Sequence, residues 1–469
     1  MSKKFLRIAA VIGALVLVCG SSVFSQKGGR HDDSVDRFLA NLEQEGFAVK
    51  EGVPELLDPA ELYCEGVIPT ALFYNEGAPY VTVRMPQLDG AAPIPFPWAI
   101  RLRPDEAIVV IGLTPPEAQY FSYQPYLLSR IPPGKTIPVP MFNSLGDTVN
   151  LRTINTIGNG VFNQPVALVF TPDQGTEYRV RAALRSAGYP AAIINTLVIP
   201  SSMLNLGIGA SSDLLLILHR MALFTDPIAG KAFTDNPPLR AFRVTPRAAA
   251  SGNPFPVPPL RIRGTGQTEM DLYHDLNRLR QAILDANSGF TATEYGTRPM
   301  AYDGYDYTQQ SKNTFGDTRD TLYLGAGYVP DFGSTDEITL RPNDFLIAYG
   351  LNHMVTGKAT YTNVNVYDGE KSRLSLGSIY TKDLQRSADA YLPGDPAADL
   401  MYVCKIGRAH SDEDFYLQIA PPEGCSPLEL TSLTRLGVSW RLYLEPRTNI
   451  GPAYTEILYD RVIKFSRGS

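Results

Sequence analysis

The sequence predicts a mainly β protein made of two tandem, internally duplicated β-sandwich or jelly-roll-like domains, each preceded by an amphipathic helix. Three observations carry this prediction. Blocks recur in one order: LRPDEAIVVIG at 102–112 returns as LRPNDFLIAYG at 340–350, YFSYQPY ending at Tyr126 as YTNVNVY ending at Tyr367, and the SLG of Ser144–Gly146 as that of Ser375–Gly377. Arg220 stands ten residues before Gly230 in GKAFT, and Arg441 ten before Gly451 in GPAYT. The chain of 469 residues is too long for one ordinary core, whereas two units of about 200 residues fit the usual range. Between its 39 Gly and 38 Pro run short segments rich in β-branched and aromatic residues, the pattern of strands rather than helices.

The N-terminus reads as a secretory signal over 1–25. Lys3, Lys4 and Arg7 precede an apolar run from Ile8 to Gly20, with Val23 and Ser25 at the small-residue positions of a cleavage site after Ser25. The run is shorter than the roughly 20 apolar residues a spanning helix needs, so no transmembrane segment is expected in the mature chain and the address is secreted or periplasmic. The first β-rich repeat spans 33–245 and opens with the amphipathic helix DSVDRFLANLEQEGF. A second helix is expected from Thr176 to Gly188. A Pro/Gly-rich linker follows over 246–267, where periodic hydrophobicity gives way to an extended segment. The second repeat spans 268–469 and opens with MDLYHDLNRLRQAILDANSGF. Both leading helices run out at a Gly-Phe pair, which predicts a left-handed glycine cap at Gly46 and at Gly289.

Loss of the signal leaves 39 basic against 48 acidic residues, a net charge of −9, which argues against nucleic acid as a partner. The mature chain keeps Cys64, Cys404 and Cys425. The pair closer in sequence, Cys404 and Cys425, is expected to form a disulfide stabilising the second repeat by roughly 3 kcal/mol, leaving Cys64 as a small buried hydrophobe.

The order YFSYQPY, FNSLGD, PVALVFTPD, then a strand ending in an arginine, repeated in the second half as YTNVNVY and SWRLYLEP, resembles the jelly-roll domain of bacterial envelope proteins of the DUF1254/DUF1214 type. The tryptophan-rich turn expected before the final strand of that family is absent here. The resemblance implies fold and envelope address, and no mechanism.

Arg220 and Arg441 are candidate ligand-binding residues, because a guanidinium offers a fixed fork of donors to an anion. Their repetition in both copies favours a structural role instead, each pairing with an acid in its own domain; Arg103 and Arg341 read the same way. Tyr361, in the tyrosine series with Tyr120, Tyr123, Tyr126 and Tyr367, is a further ligand candidate and equally an ordinary sandwich residue. The segment Asn352–Tyr361 has no counterpart of its length in the first copy. His353 and Lys358 there, with His410 beside Asp412, Glu413 and Asp414, are the catalytic or metal-binding candidates, against a solvent-facing hairpin whose histidines never meet. No fixed metal motif is present, and the acidic run 302–321 lacks calcium-loop spacing. SRIPPGKT fails as a phosphate loop because Pro132 and Pro133 remove backbone donors.

The sequence thus supports an exported ligand-binding or structural envelope component, with the cleft between similar halves as the natural ligand position. The alternative is an extracytoplasmic enzyme acting on a small molecule or polysaccharide, with its site in the second repeat. A small molecule or glycan is the partner class. The sequence names no cofactor, and internal pseudo-symmetry permits a monomer.

Overall fold

The structure, a computed structural model, describes residues 22–249, 252–300, 304–330 and 333–467, with side chains from 33 onward. Most of the signal segment therefore lies outside the described residues. The first half carries α1 (Ser22–Gln44), β1 (Phe47–Leu57), α2 (Pro59–Cys64), β2 (Tyr80–Arg84), β3 (Ala107–Leu113), β4 (Ala118–Arg130), β5 (Val139–Ser144), β6 (Val149–Asn150), β7 (Pro165–Thr171), α3 (Gln174–Ser186), β8 (Ile194–Val198), β9 (Leu214–Phe224), α4 (Pro227–Asp235) and β10 (Leu239–Pro246). The second carries α5 (Tyr273–Ala286), β11 (Thr291–Tyr295), β12 (Arg298–Pro299), α6 (Gly304–Gln309), β13 (Thr321–Val329), β14 (Ser334–Thr335), β15 (Phe345–Leu351), β16 (Tyr361–Asp368), β17 (Ser375–Tyr380), β18 (Met401–Gly407), β19 (Tyr416–Gln418), β20 (Leu436–Tyr443) and β21 (Arg461–Ser466).

The duplication is visible in the topology. The first half forms a sheet ordered β5-β4-β9-β2-β1-β10-β3-β7-β8, and the second repeats it as β17-β16-β20-β13-β12 followed by β11-β21-β15-β18-β19. The one break is at β1, which pairs with β10 through Phe47–Gly52 and with β2 through Val53–Leu57. In the second half that strand is split into β11 and β12 around Gly296 and Thr297. Even the parallel pair recurs, β7 with β8 and β18 with β19. The fold class is mainly β and sandwich-like, as the repeat predicts.

Each leading helix covers the same half-sheet. Val35, Phe38 and Leu42 of α1 are buried against Phe47, Val109, Val169 and Phe242, while Leu276, Leu279 and Ile283 of α5 are buried against Ile347, Tyr349 and Ile463. These triplets sit at helical spacing, and each large side chain contributes about 1.5–3 kcal/mol on burial. The opposite faces of the strands meet in cores that cross the junction: Tyr120, Phe121 and Met221 share one cluster with Tyr323, Tyr361 and Tyr443. Strands packed on both faces explain the apolar runs of β3 and β15 and the LLLIL that opens β9.

Details correct the sequence reading. Gly46 takes the left-handed cap at φ 81°, but Gly289 does not; α5 instead ends where Asn287 Nδ2 donates to Ile283 O at 2.8 Å. The helix expected from Thr176 begins at Gln174, because Asp173 caps it by accepting from Thr176 N at 2.7 Å. The linker is extended yet anchored: Asn253 N donates to Asp173 at 2.6 Å, Arg261 N to Asp147 at 2.8 Å, and Arg263 forms a buried pair with Asp317 at 2.8 Å.

The disulfide is the main correction. Cys64 at the end of α2 bonds Cys425, across a sequence separation of 361, and Cys404 is a free, buried thiol. Proximity along the chain misled because Cys404 points from β18 into the core that holds Trp440, whereas the loop carrying Cys425 folds onto the first half. Burial pushes the Cys404 thiol up to about 12, so it stays protonated and unreactive. Among the described residues no helix is long and apolar enough to cross a membrane.

A candidate ligand chamber between the halves

The strands that carry the two repeated arginines occupy equivalent positions, β9 between β4 and β2, and β20 between β16 and β13. Strand alternation then decides what each presents. On β9, Leu214, Leu216, Leu218 and Arg220 line a chamber, while Leu215, Ile217 and Met221 enter the core. On β20, Ser439 and Arg441 line the same chamber, while Val438, Trp440 and Leu442 enter the core behind it. The duplicated strands therefore converge on a single cavity of about 370 Å³.

Its walls are apolar, built from Leu57, Leu62, Ile68, Phe96, Trp98 and Phe142 among others. Phe96 and Trp98 stack at 5.4 Å with planes 7° apart. Helix α2 and the chain through Tyr74 form one side, and the Cys64–Cys425 bond fastens that side to the second half. Leu72, Phe73, Phe142 and Phe315, all on the wall, have φ between 41° and 58°. Side chains of this size in the left-handed region cost about 1–2 kcal/mol each and persist where surrounding structure enforces them. Phe73 is enforced on both sides, its N–H donating to Arg373 O and its carbonyl accepting from Arg441.

The polar end is small and positive. Arg220, only 3 % exposed, donates to Tyr323 Oη at 3.0 Å, Tyr126 Oη at 3.3 Å and Gly316 O at 3.3 Å. Among the described residues its buried Nε has no partner. Arg441, 8 % exposed, donates to Tyr367 Oη at 2.6 Å and Ser439 Oγ at 3.1 Å. Tyr80 and Tyr443 face the Arg220 guanidinium at 5.6 and 5.5 Å, and Tyr323 and Tyr367 face that of Arg441 at 5.6 and 5.5 Å.

Among the described residues neither arginine meets a carboxylate. The buried Asp320 lies in the same region but is held by Tyr120 at 3.0 Å, Thr148 at 2.6 Å, Asn150 at 2.9 Å and Thr318 at 2.7 Å. Burial pushes the Tyr126 and Tyr367 hydroxyls upward, against the opposing pull of the arginines, so these partners are neutral phenols. The expectation that each arginine pairs with an acid of its own domain therefore fails. Arg103 does fit that pattern, meeting Asp105 at 2.6 Å; for Arg341, the backbone N–H donates to Asp344 at 3.2 Å.

The remaining sequence candidates lie elsewhere. Tyr361 is fully buried beside the chamber rather than on it, its hydroxyl on Asn75 at 3.1 Å and its ring 4.7 Å from Tyr443. His353 is wholly buried, between Glu269 Oε1 at 2.9 Å and Asp460 Oδ2 at 3.2 Å. Burial alone would lower its pKa, but the two carboxylates override this and raise it to about 10. Lys358 is also buried, pairing with Glu445 at 2.7 Å and Glu456 at 2.8 Å. His410 is exposed, 3.3 Å from Asp412, and shares no partner with His353. The Asn352–Tyr361 segment thus clamps Gln267 and Glu269 of the incoming chain onto the second half, and the histidines do not form one site. Among the described residues no group of His, Cys, Asp and Glu is placed to hold a metal.

Sequence reasoning missed Trp98, Tyr323 and Ser439 as wall residues. The legible signal was in LLLILHR itself, a run apolar on both faces followed by an arginine within β9. The neighbouring His219 faces the other way, stacked 4.1 Å from Tyr123, and burial pushes it down to about 3. Among the described residues the chamber wall holds no Asp, Glu, His, Lys or Cys.

No family model and no curated protein matches the chain. Among solved structures, it is similar to an uncharacterized protein from Burkholderia cenocepacia, at 10% identity over 95% of this chain and 90% of that one, with a TM-score of 0.38. It is also similar to the VPA0106 protein from Vibrio parahaemolyticus, at 11% identity over 93% of this chain and 99% of that one, with a TM-score of 0.37. Scores of this size carry no functional argument.

Proposed function

We propose that the protein is an exported envelope component of the DUF1254/DUF1214 type that binds a small amphiphilic molecule in the chamber between its halves. The observation that carries this reading is the chamber itself: both copies of the repeat contribute the same strand to one apolar cavity whose inner end is polar. Ligand sites form at such domain junctions, with apolar walls and a few convergent polar groups. A disulfide joining the halves suits an oxidising compartment, in keeping with the charged and apolar N-terminal segment.

The wall residue Trp98 supplies a reporter, since the chain has 2 Trp and Trp440 lies in the core behind the chamber. The neutral fluorophore N-phenyl-1-naphthylamine should bind saturably, one per chain, and take up energy from tryptophan. Trp98→Phe should keep the binding and lower the transfer, with Trp440 remaining as the second donor. Non-saturable uptake, or transfer unaffected by the substitution, would place the probe elsewhere and defeat the proposal.

A further inference from the structure

We infer that the chamber's ligand is a single-chain amphiphile with an oxyanion head, held by Arg220 and Arg441 together; this rests on the chamber being a ligand site. The two guanidiniums share one setting, for Tyr323 accepts from Arg220 at 3.0 Å and turns its ring toward Arg441 at 5.6 Å. Both are buried, and arginine, unlike lysine, cannot shed its charge to escape burial. Hydroxyls, carbonyls and ring faces solvate the pair, but among the described residues no acid on the wall neutralises it. Three other buried or nearly buried arginines among the described residues meet an acid, Arg130 with Asp213 at 2.7 Å, Arg243 with Glu106 at 2.9 Å and Arg263 with Asp317 at 2.8 Å, whereas Arg101 donates to the carbonyl of Ser212. At Arg220 and Arg441 the described residues leave the acid's place to an incoming anion, and the Nε of Arg220, without a partner among them, is a donor ready for it.

The rest of the cavity sets the tail. Its 370 Å³ falls within the range of small-molecule sites, room for a head and an alkyl chain of moderate length. The wall from Leu216 and Leu218 out to Leu62 and Phe96 is apolar, so the body of the ligand is hydrocarbon.

Calorimetric titration of the mature protein with decanoate, decyl phosphate, decanol and decyltrimethylammonium tests this. At least one of the two anions should bind ten-fold or more tightly than decanol, and the cation should not bind. A preference for decanoate identifies a fatty-acid-like ligand and a preference for decyl phosphate a phospholipid-like one; each supports the inference. Arg220→Met and Arg441→Met should bring the anions to the level of decanol while binding of N-phenyl-1-naphthylamine persists. Arg220→Met should melt no lower than the wild type, because it removes a buried charge without an ion partner; Arg220→Gln provides a second uncharged variant if the first does not fold. Equal binding of decanol and both anions, or anion binding that survives both substitutions, would overturn the oxyanion head and leave the chamber reading intact. Failure of every alkyl probe and of the naphthylamine would overturn both.

Discussion

Replacing Cys64 and Cys425 together with serine is expected to destabilise the protein by about 5 kcal/mol, the largest effect of any change considered. A bridge across a separation of 361 residues removes a very large loop from the unfolded ensemble, and the loop-entropy relation rises with loop length. The native state loses more than chain entropy. Helix α2 and the segment to Tyr74 form one side of the chamber and reach the second half through this bond and through backbone bonds such as Ala71 N to Ser372 O at 2.7 Å. Thermal unfolding of the double variant, and of the wild type with reductant, should show matching large falls, and ligand affinity should weaken as the wall loosens. Cys404→Ser separates this account from the pairing expected on sequence: non-reducing peptide mapping should still recover the 64–425 linkage. A melting temperature unmoved by loss of the bond would contradict the stapling role.

The second large effect is at the buried histidine. His353→Ala should cost about 3–5 kcal/mol, because it leaves Glu269 and Asp460, both nearly inaccessible, without their shared cation. The network behind them would suffer too, since Tyr402 donates to Asp460 at 2.6 Å and Trp440 Nε1 to Tyr402 at 2.6 Å. The pH dependence has a definite sign. The folded pKa of His353 is raised to about 10 from the ordinary 6.5, so its stabilisation is complete below about 6.5 and is lost as pH rises through about 10. Glu269 is held below the ordinary carboxylate value: burial would raise it, but the His353 charge and hydrogen bonds prevail. Its contribution is present above about 4.5 and lost as pH falls through its lowered folded value. Wild-type stability should thus fall steadily from neutral pH toward pH 10, and this slope should flatten in His353→Gln. Identical profiles for the two proteins would remove the clamp from the account. An active-site role for His353 would instead lower turnover without this stability signature.

The contrast between these residues shows where sequence reading succeeds. The repeat was legible because strand order is written in order along the chain: LRP turns, tyrosine-rich strands and the arginine-bearing strands fall at the same places in both copies. The helices were legible from the spacing of Val35, Phe38 and Leu42 and of Leu276, Leu279 and Ile283. Pairing across the junction was not. Cys64 and Cys425 meet only because two halves fold onto each other, and no local pattern records that. His353 looked specialised because its loop is unique to the second copy; the uniqueness is real, but its partners Glu269 and Asp460 lie 84 and 107 residues away and make it a clamp. The two arginines were found by their repetition, and that same repetition suggested a structural role. Only three dimensions show them sharing one cavity with no acid among the described wall residues.

The central claim is that this cavity, and no other surface, takes an anionic amphiphile. Photolabelling with a diazirine-bearing decanoate analogue, mapped by peptide mass spectrometry, tests it most directly. The account predicts saturable labelling confined to the segments that line the chamber, 57–74, 95–98, 128–142, 214–220, 315–329 and 439–441, abolished by excess decanoate and by Arg220→Met with Arg441→Met. Labelling spread over the exterior, or unchanged in the double variant, would contradict it.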